Sequence, residues 1–262
     1  MTQAQKVIKY FAYALAIFII ISIFSLVIEV VKEVCGIYVD NDVKFDNVEY
    51  DNYLELDLSR VEVYIKTGDL LKAESDNKNI NIKQDGNKLI VKEKSGLLLT
   101  KNKAVLNVTV PENFEFDYVK IDTGAGSVNI DKLITNLLDV DMGAGNLKIN
   151  SLLVSCKAII DGGVGDIYLN DVYVNKFDLD LGTGNSVITG NIYGGADIDT
   201  GVGNVSLNLK DNVENFTFVI SKGIGKVTLN NDEIKKDSTI GNGKIDIEID
   251  GGVGNIEINT RY

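Results

Sequence analysis

Five aspartates stand at nearly even intervals between positions 122 and 199 of this 262-residue chain: Asp122, Asp141, Asp161, Asp180 and Asp199. Each lies two places before a glycine, in the phrases DTGAGS, DMGAGN, DGGVGD, DLGTGN and DTGVGN. Acids beside glycine turns suggest three chemistries. A glycine loop cradles phosphate when a helix follows and points its amino end at the anion. Here strand-like runs such as SVNI and NVSL follow, and no Lys-Ser or Lys-Thr pair does. Glycine-aspartate repeats also bind calcium in β-rolls of the form G-G-x-G-x-D-x-U-x. GGVGDIYLN from Gly162 comes near, with Asp166 one place early, and GGVGNIEIN from Gly251 carries Asn255 there. Calcium along the five-aspartate column is the one cofactor the residues suggest. Against it, outward acids lack the convergent six to eight oxygens the ion prefers. Paired acids also cleave glycans, given a cleft and one raised pKa. These acids stand in a row beside turns, and the chain has no tryptophan to make a sugar platform.

Composition removes other classes. There is no histidine, so Ser-His-Asp and Cys-His sites are excluded, as is the commonest imidazole ligand. The formal net charge of −12 argues against a nucleic-acid partner, which rewards clustered Lys and Arg. Cys35 and Cys156 are far apart and make no zinc motif; they read as unpaired. No enzyme activity is expected.

The elements that carry the phrases repeat with them. The first glycine of the pair falls at Gly124, Gly143, Gly163, Gly182, Gly201, Gly223 and Gly252. The second falls at Gly126, Gly145, Gly165, Gly184, Gly203, Gly225 and Gly254. The intervals are 19, 20, 19, 19, 22 and 29 residues, and TIGNGKIDI holds a shortened copy at Gly241 and Gly243. Self-similarity near twenty residues marks a solenoid. Apolar columns fall in register five before, three before, one after and six after the first glycine, which predicts stacked strands with one face buried. The aspartates lie between two inward columns and should point outward. The glycines then serve sharp corners that need positive φ or room for a neighbouring backbone. The period slips near Asn231, where NNDEIKKDST could cap the stack. Without such a cap, end-to-end self-association is open.

Before the repeats, YLELDLSRVEVYI alternates apolar and polar residues, and NINIKQDGNKLIVKEK signals a hairpin at Asp85–Gly86–Asn87. Half-buried antiparallel strands are the simplest reading of 38–111. Residues 10–28 carry no charge, and Lys6 and Lys9 precede them. A helix of that length matches a bilayer core, and the positive residues put the amino terminus inside. The expected organisation is a cytoplasmic tail at 1–9, a single transmembrane anchor at 10–31, the antiparallel lead-in at 38–111 and the glycine-rich solenoid at 112–262. The fold class is an all-β solenoid behind one amino-terminal transmembrane helix, with the carboxy-terminal part outside the cell membrane.

VTVPENFEFDYVKIDTGAGSVNI, followed by repeated D-x-G-x-G-[NSD] phrases, resembles the bacterial adhesin-type domain family of cell-envelope β-helical repeats. The resemblance covers roughly Val39 to the end. It implies a right-handed β-solenoid and no catalytic residues. The expected function is a non-enzymatic adhesion or envelope-interaction module that meets an unidentified envelope or surface ligand. Two alternatives stand beside it: an envelope-sensing membrane protein whose outer domain binds a partner, and a divergent calcium-binding β-roll.

Overall fold

The computed structural model describes residues 51–94 and 104–261; the expected anchor at 10–31 lies outside them. Among the described residues, no helix is long and apolar enough to cross a membrane. The chain forms strands because apolar residues alternate with polar ones almost everywhere, as in YLELDL and AVLNVTVP. The first part supplies β1 (Tyr53–Leu58), β2 (Val61–Gly68), β3 (Lys72–Ser75), β4 (Ile80–Asp85), β5 (Lys88–Glu93) and β6 (Ala104–Pro111). The even repeats supply β7 (Glu115–Ala125), β8 (Val128–Ile130), β9 (Leu133–Ala144), β10 (Leu147–Ile149), β11 (Leu152–Val164), β12 (Ile167–Thr183), β13 (Ser186–Ile192), β14 (Ala196–Val202) and β15 (Val205–Asn212). The last part supplies β16 (Phe216–Ser221), β17 (Val227–Leu229), β18 (Asp232–Ile234), β19 (Ser238–Gly241), β20 (Ile245–Asp250) and β21 (Ile256–Arg261).

Two parallel ladders run through these strands. One joins, in spatial order, β5, β1, β7, β9, β11, the second half of β12, β14, β20 and β16. The other joins β6, β2, β8, β10, the first half of β12, β13, β15, β21 and β17. A narrow third side stacks residues 133–135, 152–154, 172–174 and 190–192. Inside, like positions sit on one another. Leu54, Val119, Leu138, Ala158, Phe177, Ala196, Ile247 and Phe218 form one buried column, and Ile65, Ile130, Ile149, Leu169, Ile188, Leu207, Ile258 and Leu229 form another. Burial of these columns is the main driving force, since each strand hides one face of its pleat.

The structure corrects the lead-in. β1 and β2 pair parallel with their neighbours on both sides and are full members of the stack. Among the described strands of the lead-in, only β3 against β6 and β4 against β5 are antiparallel, the latter across the hairpin turn at Gly86 and Asn87. Alternation shows that one face is buried; it does not show the direction of the partner strand.

The order of rungs is not the order of the sequence. β5 and β6 lie outside β1 and β2, while β20 and β21 lie between β14–β15 and β16–β17. The irregular intervals of 22 and 29 arise from this. Gly252 stacks on Gly201, and a Cβ on Gly223 would meet the carbonyls of Gly251 and Gly252. The solenoid therefore continues past Asn231. Gly241 and Gly243 make no corner of it; they carry the chain across the start of β16, from β19 on one side to β20 on the other. NNDEIKKDST does form the cap, for β18 and β19 pair antiparallel against β17 and β16. The single 20-residue interval reflects a register shift between Val154 and Lys157.

Candidate functional site

Each corner rests on its two glycines for different reasons. At the second glycine φ is positive, between 140° and 153° at Gly126, Gly145, Gly165, Gly184, Gly203, Gly225 and Gly254. A Cβ there would also strike the carbonyl oxygen of the rung below, at 1.8 Å for Gly184. At the first glycine φ is ordinary except at Gly223, where it is +66°, and the clash remains, 2.3 Å for Gly163 and Gly182. The residue between them points outward. Ala125, Ala144, Val164, Thr183, Val202, Val253 and Ile224 form an exposed ridge, not the buried column expected one place after the first glycine. The chain bends at the glycines, so strand alternation breaks there.

The residue after the second glycine forms a hydrogen-bonded ladder. The side-chain oxygen of Asn146 accepts the Asp166 N–H at 2.9 Å, and that of Asp166 accepts the Asn185 N–H at 2.8 Å. Asn185 accepts from Asn204, Asn204 from Asn255, and Asn255 from Lys226. The Asn185 N–H bond holds the Asp166 carboxyl below the usual range. The sequence repeats Asn, Asp or Ser at this place, which by itself fits a turn exit, since Asn and Asp tolerate left-handed backbone. From Asn146 to Lys226, each rung's side chain in fact satisfies the next rung's amide. Asn204→Ala removes two exposed ladder bonds, the one its Oδ1 accepts from the Asn255 N–H and the one its Nδ2 donates to Asn185; it should cost about 1–2 kcal/mol, read as a lower urea midpoint at unchanged slope.

The predicted aspartates come together as one outward column, one per rung. Asp122, Asp141, Asp161, Asp180 and Asp199 are register partners in turn, and Asp57 and Asp250 extend the column at its two ends. Asp250 carried the sequence signal, two places before Gly252; Asp57 precedes no glycine and did not. Two residues earlier runs a second outward column: Glu55, Lys120, Asp139, Ile159, Asp178, Asp197 and Glu248. Among the described residues, no group of three or more Asp, Glu or Cys is placed to hold a metal ion. The carboxylates are spaced along the stack rather than turned toward a common centre.

The columns are electrostatically strained. Partial burial and then neighbouring acids raise the carboxyls of Asp122, Asp141, Asp197 and Asp199. Asp139 is raised by burial, against the Tyr118 hydroxyl that donates to it at 3.0 Å. Asp161 is pushed up to about 6, by burial first and then by Asp180 and Asp141. The folded state thus holds this proton more tightly than the unfolded chain between its ordinary value of 3.8 and about 6. Stability gained from it is present at low pH and lost as pH rises through that window. The protein should melt higher at pH 5 than at pH 7. Asp161→Asn should raise the pH 7 melting temperature by about 2–4 °C, for ~1 kcal/mol after allowance for solvent screening. It should also flatten the pH profile; an unchanged profile would assign the titration elsewhere.

One cation sits in this face without being exposed. Lys157, 4% exposed, pairs with Asp178 on the next rung. It directly follows the extra residue that shifts the register after Val154. Cys156 beside it is a free, half-buried thiol.

A stack of glycine-cornered parallel rungs, with ladders of one residue type on its outer faces, is a repeat scaffold of the β-solenoid class. The chain belongs to the Toastrack DUF4097 family, whose profile matches residues 37–259. A crystal structure from Clostridium sporogenes ATCC 15579, of a protein provisionally named for cell adhesion, is similar at 20% identity, covering 80% of this chain and 93% of that one, with a TM-score of 0.37. No curated protein matches the chain.

Proposed function

We propose that the chain is a non-enzymatic adhesion or envelope-interaction module, anchored through residues 10–31 with its solenoid outside the membrane. The observation that carries this reading is the acid-rich outer face of the ladder from β5 to β16, where the Asp57-to-Asp250 column runs unbroken across seven rungs. Stacked strands hold these carboxylates at about 4.8 Å intervals on a rigid surface, which suits repeated contacts with a polymeric or multivalent envelope partner. The anchor supplies tethering.

The test is retention of the full chain, in detergent, on isolated cell envelopes. Asp122→Asn with Asp141→Asn and Asp199→Asn should reduce retention and its sensitivity to salt, because screened charges lose reach. Equal retention by the variant would remove this face as the binding surface. Calcium titration of the same protein gives a separate readout. A melting temperature that climbs steeply with calcium would assign the column to the cation instead.

A further inference from the structure

The slot between β14–β15 and β16–β17 is filled by β20 and β21, and among the described strands these are the ones that pair with both the body and the carboxy-terminal cap. Among the described residues, β16 pairs only with β19 and β20, and β17 only with β18 and β21. Neither pairs with β14 or β15. The inserted rung bonds both ways. Val205 N–H donates to Asn255 O, and Val253 N–H donates to Gly201 O, on the body side. Ile256 N–H donates to Lys226 O, and Asn230 N–H donates to Ile258 O, on the cap side. The side-chain ladder passes through it as well, from Asn204 to Asn255 to Lys226. Its apolar residues Ile247, Ile249, Ile256 and Ile258 are buried in columns already fixed by rungs on either side.

We infer that residues 245–261 form an exchangeable rung: the slot that takes them from the same chain also takes them from a second copy, giving a reciprocal rung-swapped dimer. Every contact the segment makes is intermolecular in the swapped form with no change of register, so the two forms differ mainly at the joint. That joint is short and rich in glycine. Gly241 has φ +91°, and Gly243 lies so close to Asn215 and Phe216 that a Cβ would meet their backbone at 2.0–2.2 Å. A tight crossing of this kind favours opening into an extended link. End-to-end stacking is the competing route to self-association, and the fold obstructs it. β3 and β4 cover the amino end, β18 and β19 the carboxy end, all antiparallel, with exposed charges such as Lys83, Asp85, Glu233 and Lys236.

Asp199 and Asp250 are direct register partners across the body side of the slot and both point outward. Neighbouring strands bring their Cα atoms to about 4.8 Å, inside the ~4.4–6.8 Å range of a disulfide. In full-length protein with Cys35→Ser and Cys156→Ser, one tagged chain would carry Asp199→Cys and a differently tagged chain Asp250→Cys. After joint incubation at high concentration and oxidation, a linked heterodimer is expected. Asp122→Cys mixed with Asp250→Cys should give only background, since these positions do not meet in either form. One chain carrying both Asp199→Cys and Asp250→Cys should close its bond internally and lose the dimer. The inference is overturned if the 199/250 mixture links no more than the 122/250 mixture while the double variant closes. Failure of the double variant to close would overturn the register on which the inference rests.

Discussion

Gly184→Ala should cost several kcal/mol and leave the chain unfolded or molten at moderate temperature, whereas Gly162→Ala should be nearly silent. Both residues belong to copies of the same glycine phrase. Gly184 has φ +152°, and its added Cβ would lie 1.8 Å from the carbonyl oxygen of Gly165 and 2.6 Å from its carbon. Backbone cannot rotate out of the way as a side chain can, so two rungs must separate and break ladder bonds above and below. Positive φ adds about 1–2 kcal/mol for a residue with a Cβ, and losses beyond ~4 kcal/mol are in reach when core packing opens as well. Gly162 has no such neighbour. Its Cβ would press only on the Cδ1 end of the Ile167 side chain, at 2.8 Å, with the Asp180 carbonyl oxygen at an ordinary 3.6 Å, and the same column holds Thr123, Met142 and Leu181 on other rungs. Circular dichroism and urea melts of the two variants separate the cases. Equal losses would mean that glycine serves the corner by flexibility alone, not by yielding space to the carbonyl of the next rung.

That contrast also marks how far the sequence could be read. The spacing of the glycine pairs and the buried columns three, five and six residues away were legible because stacking repeats the same environment every rung. Ile121, Val140, Ile160, Leu179 and Ile198 are apolar for one shared reason. The aspartate column was legible for the same cause. What was hidden depended on partners distant in sequence. β1 and β2 look like any alternating strands, and nothing local tells that Leu54 lies beside both Leu89 and Val119. The insertion of β20 and β21 was written only as an odd pair of intervals. The outward ridge at Val164 and Val202 was misplaced because strand alternation was carried through a corner where the backbone turns. The two ends share one design: an excursion builds the cap, and a rung remote in sequence fills the gap behind it.

The buried lysine supplies a second large effect, and it distinguishes two acids that look alike in sequence. Asp178 and Asp180 both point outward from β12, two residues apart. Asp180 raises the carboxyl of Asp161 beside it, so Asp180→Ala should be neutral or slightly stabilising at pH 7. Asp178 instead neutralises Lys157, whose side chain is only 5% exposed. Removing that partner leaves the buried cation without its carboxylate; because the Asp178 side chain is itself 33% exposed, the loss falls at the low end for broken buried pairs, about 3 kcal/mol. Asp197 on the following rung, whose carboxyl Lys157 already favours in its charged form, softens the loss without taking over the contact. The double variant Lys157→Met with Asp178→Ala should recover much of the stability, because the uncompensated charge is gone and the methionine still fills the space. Urea melts of the three variants complete a cycle. If Asp178→Ala costs no more than Asp180→Ala, the pair is an exposed contact of little worth. A large single loss rescued in the double variant would place the cost in the Lys157 cation left buried without its carboxylate.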